Sequence, residues 1–113
     1  PIDAYGDGGF RVDGKRVKGS ILLLPQRMDP WPVTAPESIT SASLAPLITA
    51  KDSFDILLIG CGAEMAFPPK DVRAFLDEQG ISWDAMTTSA ACRTYNVLAS
   101  EDRPVAGALI AVD

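Results

Sequence analysis

From Phe54 to Val112 the chain alternates apolar runs of strand length with longer segments whose apolar residues recur at helical spacing. Each change of period falls at a glycine, a proline or a hydroxyl residue. The order predicts a strand over 54–59, a helix over 69–79, a strand over 81–86, a helix over 89–100 and a strand over 105–112, a β-α-β-α-β series. In the first helix Val72, Phe75 and Leu76 form the apolar stripe. Pro68 and Pro69 suit a first turn whose amides have no intrahelical partner, and Gly80 supplies the left-handed residue that closes the helix. Parallel strands joined by helices cross over in the right-handed sense, which gathers the loops after the strand C-termini on one edge of the sheet. Those loops are 60–67 and 87–89, where an open α/β sheet places a ligand.

Ahead of this series the pattern is different. Asp13-Gly14 stands between Phe10-Arg11-Val12 and Lys15-Arg16-Val17, and an Asp-Gly pair between β-favouring segments reads as a tight hairpin turn, because both central positions need positive φ. The second hairpin strand is expected to run on to Leu24, where Ile21-Leu22-Leu23-Leu24 loses polar alternation as a strand does on entering a sheet covered on both faces. Pro25, Pro30, Pro32 and Pro36 then predict an extended connection over 26–36, since proline cannot donate the hydrogen bonds of a regular element. Leu44, Leu47 and Ile48 have the spacing of a short helix, limited by Pro46.

Composition removes many functions. At 113 residues and 47% hydrophobic the chain encloses one core, so a single domain is expected. It contains no histidine, which excludes Ser-His-Asp and Cys-His nucleophile pairs and histidine metal sites. The formal charge of −5 repels a phosphate backbone and an anionic bilayer, so nucleic acid and lipid surfaces are not expected partners. Two cysteines, Cys61 and Cys92, do not make a disulfide scaffold and fit a reducing compartment. The longest apolar runs fall far short of the roughly 20 residues that span a bilayer. The chain starts at Pro1 rather than methionine, which leaves a preceding leader open.

Two segments imitate nucleotide motifs and are rejected. Gly60-Cys61-Gly62 follows a strand, but the third glycine of a dinucleotide loop is replaced by Met65 and the helix starts too late, so a turn requiring positive φ is the simpler reading and only an anion or carbonyl contact is kept as the alternative. Gly9 to Arg16 is one residue short of a phosphate-binding loop, has arginine where a magnesium-binding hydroxyl is needed, and lies in a hairpin. No cofactor is expected.

The segment Thr87 to Asn96 is the richest in chemistry. Capping hydroxyls precede a helix whose first turns carry Cys92, Arg93 and Asn96. The helix dipole and Arg93 would both favour a Cys92 thiolate; the alternative is a small buried residue against the sheet. Arg93 and Asn96 lie three residues apart on one helical face. Either they hold an anion or a partner's backbone, or they brace the fold, with Arg93 capping the Gly60 loop or pairing with Glu64. Trp31 and Phe67, each flanked by prolines, either anchor an interface or close the core.

Tyr5-Gly6, Gly9-Phe10, Trp31-Pro32, Leu57-Leu58-Ile59-Gly60-Cys61-Gly62, Phe67-Pro68-Pro69 and, above all, Ala90-Ala91-Cys92-Arg93-Thr94-Tyr95-Asn96-Val97-Leu98 together resemble a family of unknown function, domain of unknown function 498. That family includes mitochondrial respiratory complex I (NADH:ubiquinone oxidoreductase) assembly factor 3. The resemblance covers essentially the whole chain, with one departure at Cys61, where many relatives carry threonine. It implies a three-layer α/β domain with a mixed sheet, here an N-terminal β-hairpin followed by β-α-β-α-β. It also implies a role in assembly through protein contacts, with complex I subunits as the candidate partners, in the mitochondrion of a eukaryote or the cytoplasm of a bacterium or archaeon.

Two functions are therefore expected to compete. One is a non-enzymatic protein-binding or assembly factor that uses Gly60, Cys61, Gly62, Phe67, Thr88, Cys92, Arg93 and Asn96 at the strand-end edge. The other is a small-molecule or anion site, or a thiol-dependent enzyme, in which Cys92 is the nucleophile or redox thiol and Arg93 and Asn96 orient an anionic substrate.

Overall fold

A computed structural model describes residues 1–113. It holds two sheets: a three-stranded antiparallel one, β1 (Ile2–Gly6), β2 (Gly9–Val12) and β3 (Lys15–Lys18), and a five-stranded mixed one. The larger sheet contains β4 (Ser20–Leu24), β5 (Arg27–Trp31), β6 (Ile56–Gly60), β7 (Trp83–Met86) and β8 (Val105–Leu109), in the spatial order β5-β4-β8-β6-β7. Three α-helices accompany them: α1 (Ala45–Thr49), α2 (Lys70–Glu78) and α3 (Thr88–Ser100). β6 runs parallel to β7 and β8, while β4 is antiparallel to β5 and β8. The architecture is thus mixed α/β, with the expected β-α-β-α-β series running from β6 to β8.

The predicted hairpin turn is present, with Asp13 at φ 49 and Gly14 at φ 80. Its second strand does not continue to Leu24. Gly19, at φ 83, turns the chain out of the small sheet after Lys18, and Ser20 opens a strand of the large sheet. The reason is positional: a backbone at that φ interrupts a ladder, and glycine adopts it at little cost. The extended connection expected over 26–36 is also corrected in part, because Arg27–Trp31 is a paired strand, with Pro30 opposite Ile21. It lies at the edge of the sheet, where a proline that cannot donate leaves no neighbour unpaired.

The large sheet is covered on both faces, which explains why β4 shows no polar alternation. Leu22 and Leu24 pack on one side with Leu57, Ile59, Val72 and Leu76, and Ile21 and Leu23 pack on the other with Phe10, Ala91 and Leu109. α2 ends as its sequence predicts. Gly80 stands at φ 71, its N–H reaches the Asp77 carbonyl at 3.0 Å, and the Ile81 N–H reaches the Leu76 carbonyl at 3.1 Å, the two bonds of a Schellman closure. α3 is capped by Thr87, whose hydroxyl accepts the Ala90 N–H at 3.3 Å. Register places Gly60 beside both Met86 and Leu109, so all three parallel strands end on one edge, as the crossovers require.

Candidate functional site

The strand-end edge is built around the point where α3 meets β6. A Cβ on Gly60 would lie 3.1 Å from the Thr88 Cα and 3.1 Å from the Leu109 Cδ2, so glycine eases the close approach of helix to strand that a side chain would crowd. Positive φ applies only to Gly62, at 104. Thr88 is fully buried and each of its polar groups is used. Its hydroxyl donates to the Ile110 carbonyl at 2.7 Å and accepts the Gly62 N–H at 3.0 Å, and its own N–H donates to the Gly62 carbonyl at 2.9 Å. One side chain therefore ties the loop after β6 to the segment after β8.

Both thiols are structural in their surroundings. Cys61 is 2% exposed, and burial pushes its pKa up to about 11. Cys92 is 3% exposed against the sheet, with Ala91 and Leu109 in the same apolar cluster, and burial pushes it up to about 12. Of the two readings of Cys92 the thiolate is not supported: desolvation outweighs the helix dipole, and Arg93 is exposed to solvent. The alternative reading, a small buried residue, describes it.

Arg93 and Asn96 differ in what they contact. Asn96 Oδ1 accepts the Ile2 N–H at 2.8 Å and Asn96 Nδ2 donates to the Ile2 carbonyl at 2.8 Å, so its amide pins β1 to α3. The Arg93 side chain forms neither a hydrogen bond nor an ion pair, and the pairing with Glu64 that the sequence allowed is not made: the ion pairs are Pro1 with Asp13 and Arg27 with Asp29. Trp31 is buried and donates from Nε1 to the Ser43 carbonyl at 3.1 Å, closing the core. Phe67 is 58% exposed, with the Arg73 guanidinium carbon 5.8 Å from its ring centroid.

Beside this brace lies an open groove of about 940 Å³. Cys61 to Ala66 form one wall, Thr34 to Glu37 another, and Ile110 to Asp113 a third, with Tyr5 and Ser89 at the rim. Of the residues singled out from sequence, Cys61 and Gly62 line it. Gly60 and Thr88 shape the structure behind it, and Cys92, Arg93 and Asn96 are outside its lining. Glu37, Met65 and Tyr5, which no sequence motif singles out as site residues, also line it, and Met65, in the long connection between β6 and α2, is 51% exposed. No cluster of three or more His, Cys, Asp or Glu side chains has metal-binding geometry, and no helix is long and apolar enough to cross a membrane.

These features define an α/β domain with a braced strand-end edge and an open acidic groove. Residues 2–110 match the family described as Protein of unknown function (DUF498/DUF598), and the chain belongs to that family. It is 37% identical to an uncharacterized protein of Rhodobacter capsulatus over 97% of this chain and 83% of that one. It is 32% identical to the NADH dehydrogenase [ubiquinone] 1 alpha subcomplex assembly factor 3 of Rattus norvegicus over 96% of this chain, and spans 59% of that longer protein. A crystal structure described as an outer membrane protein from Bartonella henselae superposes with a TM-score of 0.94 at 42% identity, covering 100% of this chain and 95% of that one.

Proposed function

We propose that this chain is a non-enzymatic protein-binding domain of the assembly-factor kind, and that its contact surface is the strand-end edge with the loop from Cys61 to Phe67. The observation that carries this reading is the loop itself. Met65 and Phe67 are 51% and 58% exposed on a segment that leaves the sheet between two fixed points, the Gly62 contact with Thr88 and the start of α2. Large apolar side chains exposed close together on one loop are common anchors of protein interfaces. The likeness to assembly factor 3 over nearly the whole chain supports the same reading and makes subunits of respiratory complex I the partners to test first. The protein would work in the cytoplasm of a bacterium or in a mitochondrion. The competing thiol chemistry is disfavoured by the burial of both sulfurs.

Affinity capture of a tagged chain expressed from its native locus tests the proposal. A reproducible companion, with complex I levels falling on deletion, is the expected result. No companion and unchanged complex I levels would overturn it.

A further inference from the structure

We infer that the groove beside the 61–66 loop receives an extended segment of a protein partner in which basic side chains alternate with apolar ones. This rests on the protein-binding reading and adds to it the chemistry of the partner. The groove mixes polar and apolar lining, and Tyr5 and Met65 are well exposed along it with Ala66 and Val112 partly so, which offers contact area to apolar side chains. Every charged residue that lines it is acidic: Glu37, Glu64 and Asp113, with no lysine or arginine among them. None of these carboxylates belongs to either ion pair of the chain. The groove therefore holds unneutralised negative charge in a protein of net charge −5, which attracts a basic segment and repels nucleic acid and anionic lipid.

The backbone adds a third feature. From Ala63 through Phe67 no main-chain N–H or carbonyl forms a hydrogen bond within the chain. Such groups are satisfied by water or by a partner, and an extended peptide laid along them supplies matching donors and acceptors. In that arrangement alternate side chains point to opposite sides, one set toward the apolar lining and the other toward the carboxylates.

The test uses three synthetic peptides, alternating lysine with leucine, lysine with serine and glutamate with leucine, titrated into isotope-labelled protein. The lysine-leucine peptide is expected to move the amide signals of residues 61–66 and 110–112 and to bind more tightly than either of the others. Its affinity is expected to fall about tenfold or more in E37K/E64K. It should hold nearer its original value in E78K/E101K, which makes the same change of net charge at exposed positions that do not line the groove. Glu37 and Glu64 are exposed, so their replacement should leave the melting temperature close to that of the unaltered chain. Absence of binding, signal changes elsewhere, or equal losses in the two variants would overturn the inference. Native-locus capture separates the two levels. Companions retained by E37K/E64K would discard the groove and leave the protein-binding reading standing, whereas no companion with the unaltered chain would discard the reading itself.

Discussion

Asn96 and Ile2, 94 positions apart in sequence, exchange two hydrogen bonds of 2.8 Å, with the side-chain amide of one answering the backbone N–H and carbonyl of the other. The first strand of the small sheet is held to α3 in this way. Asn96→Ala is expected to cost about 1–3 kcal/mol, because it leaves a partly buried donor and acceptor unpaired, which lowers the melting temperature by about 4 °C for each kcal/mol in a chain of this size. Asn96→Asp keeps the acceptor and sets a carboxylate against the Ile2 carbonyl. Its deficit relative to the unaltered chain should shrink as pH falls and the added carboxyl gains a proton that it can donate. Thermal melts across pH check both expectations, and an unchanged melting temperature for Asn96→Ala would remove the brace.

Thr88 offers a sharper comparison, since valine has nearly its shape. Thr88→Val loses the donor to Ile110 and the acceptor for Gly62 at a fully buried position, and should cost about 1–3 kcal/mol. Thr88→Ser retains the hydroxyl and should cost less. Gly60→Ala places a methyl 3.1 Å from the Thr88 Cα, and is expected to destabilise by about 1–3 kcal/mol as α3 shifts outward. Urea unfolding of the three variants orders them, and a Thr88→Val variant as stable as the unaltered chain would contradict the account of this junction.

The thiols give a pH prediction. Burial raises Cys61 to about 11 and Cys92 to about 12 from an ordinary value of 9.0. Below pH 9 the folded and unfolded chains both keep these protons, so the contribution to stability is fully present. As pH rises from there toward the folded values, the unfolded chain gives up protons that the folded chain retains, and stability is lost. The Tyr95 phenol, raised by burial and then by Asp13, acts in the same direction. Cys92→Ala should therefore show a shallower alkaline fall in its urea midpoint between pH 8 and about 11. At neutral pH a thiol probe should modify the native chain far more slowly than the unfolded chain. Modification of the native chain at the rate of a free cysteine would contradict the burial of both sulfurs.

These residues also show which parts of the molecule the sequence makes legible. The β-α-β-α-β series and the Gly80 closure are readable because periodicity, caps and turn residues are local signals. β1 is not, since only Ile2 among its residues is buried, yet its turn to β2 repeats the Asp-Gly signal at Asp7 (φ 53) and Gly8 (φ 76) and could have been found. At the site, the meeting of the Gly62 loop with the start of α3 follows from topology. For Cys92 the helix dipole alone points to a thiolate, and depth decides the matter. Thr88, Ala91, Cys92 and Tyr95 recur at helical spacing on the inward side, and Arg93 and Val97 fall on the outward side. The partner of Asn96 and the walls of the groove come from distant segments, which no local pattern reveals.

Met65 and Phe67 provide the most direct test, because their exposure allows substitution with little effect on stability, within about 0.5 kcal/mol for a typical surface site. The measurement is the quantity of each companion captured from native cells by the tagged unaltered chain and by an M65S/F67S variant of equal melting temperature and abundance. If the strand-end loop is the protein-binding surface, a defined set of companions is recovered with the unaltered chain and lost with the variant. Equal recovery by both chains would contradict that surface.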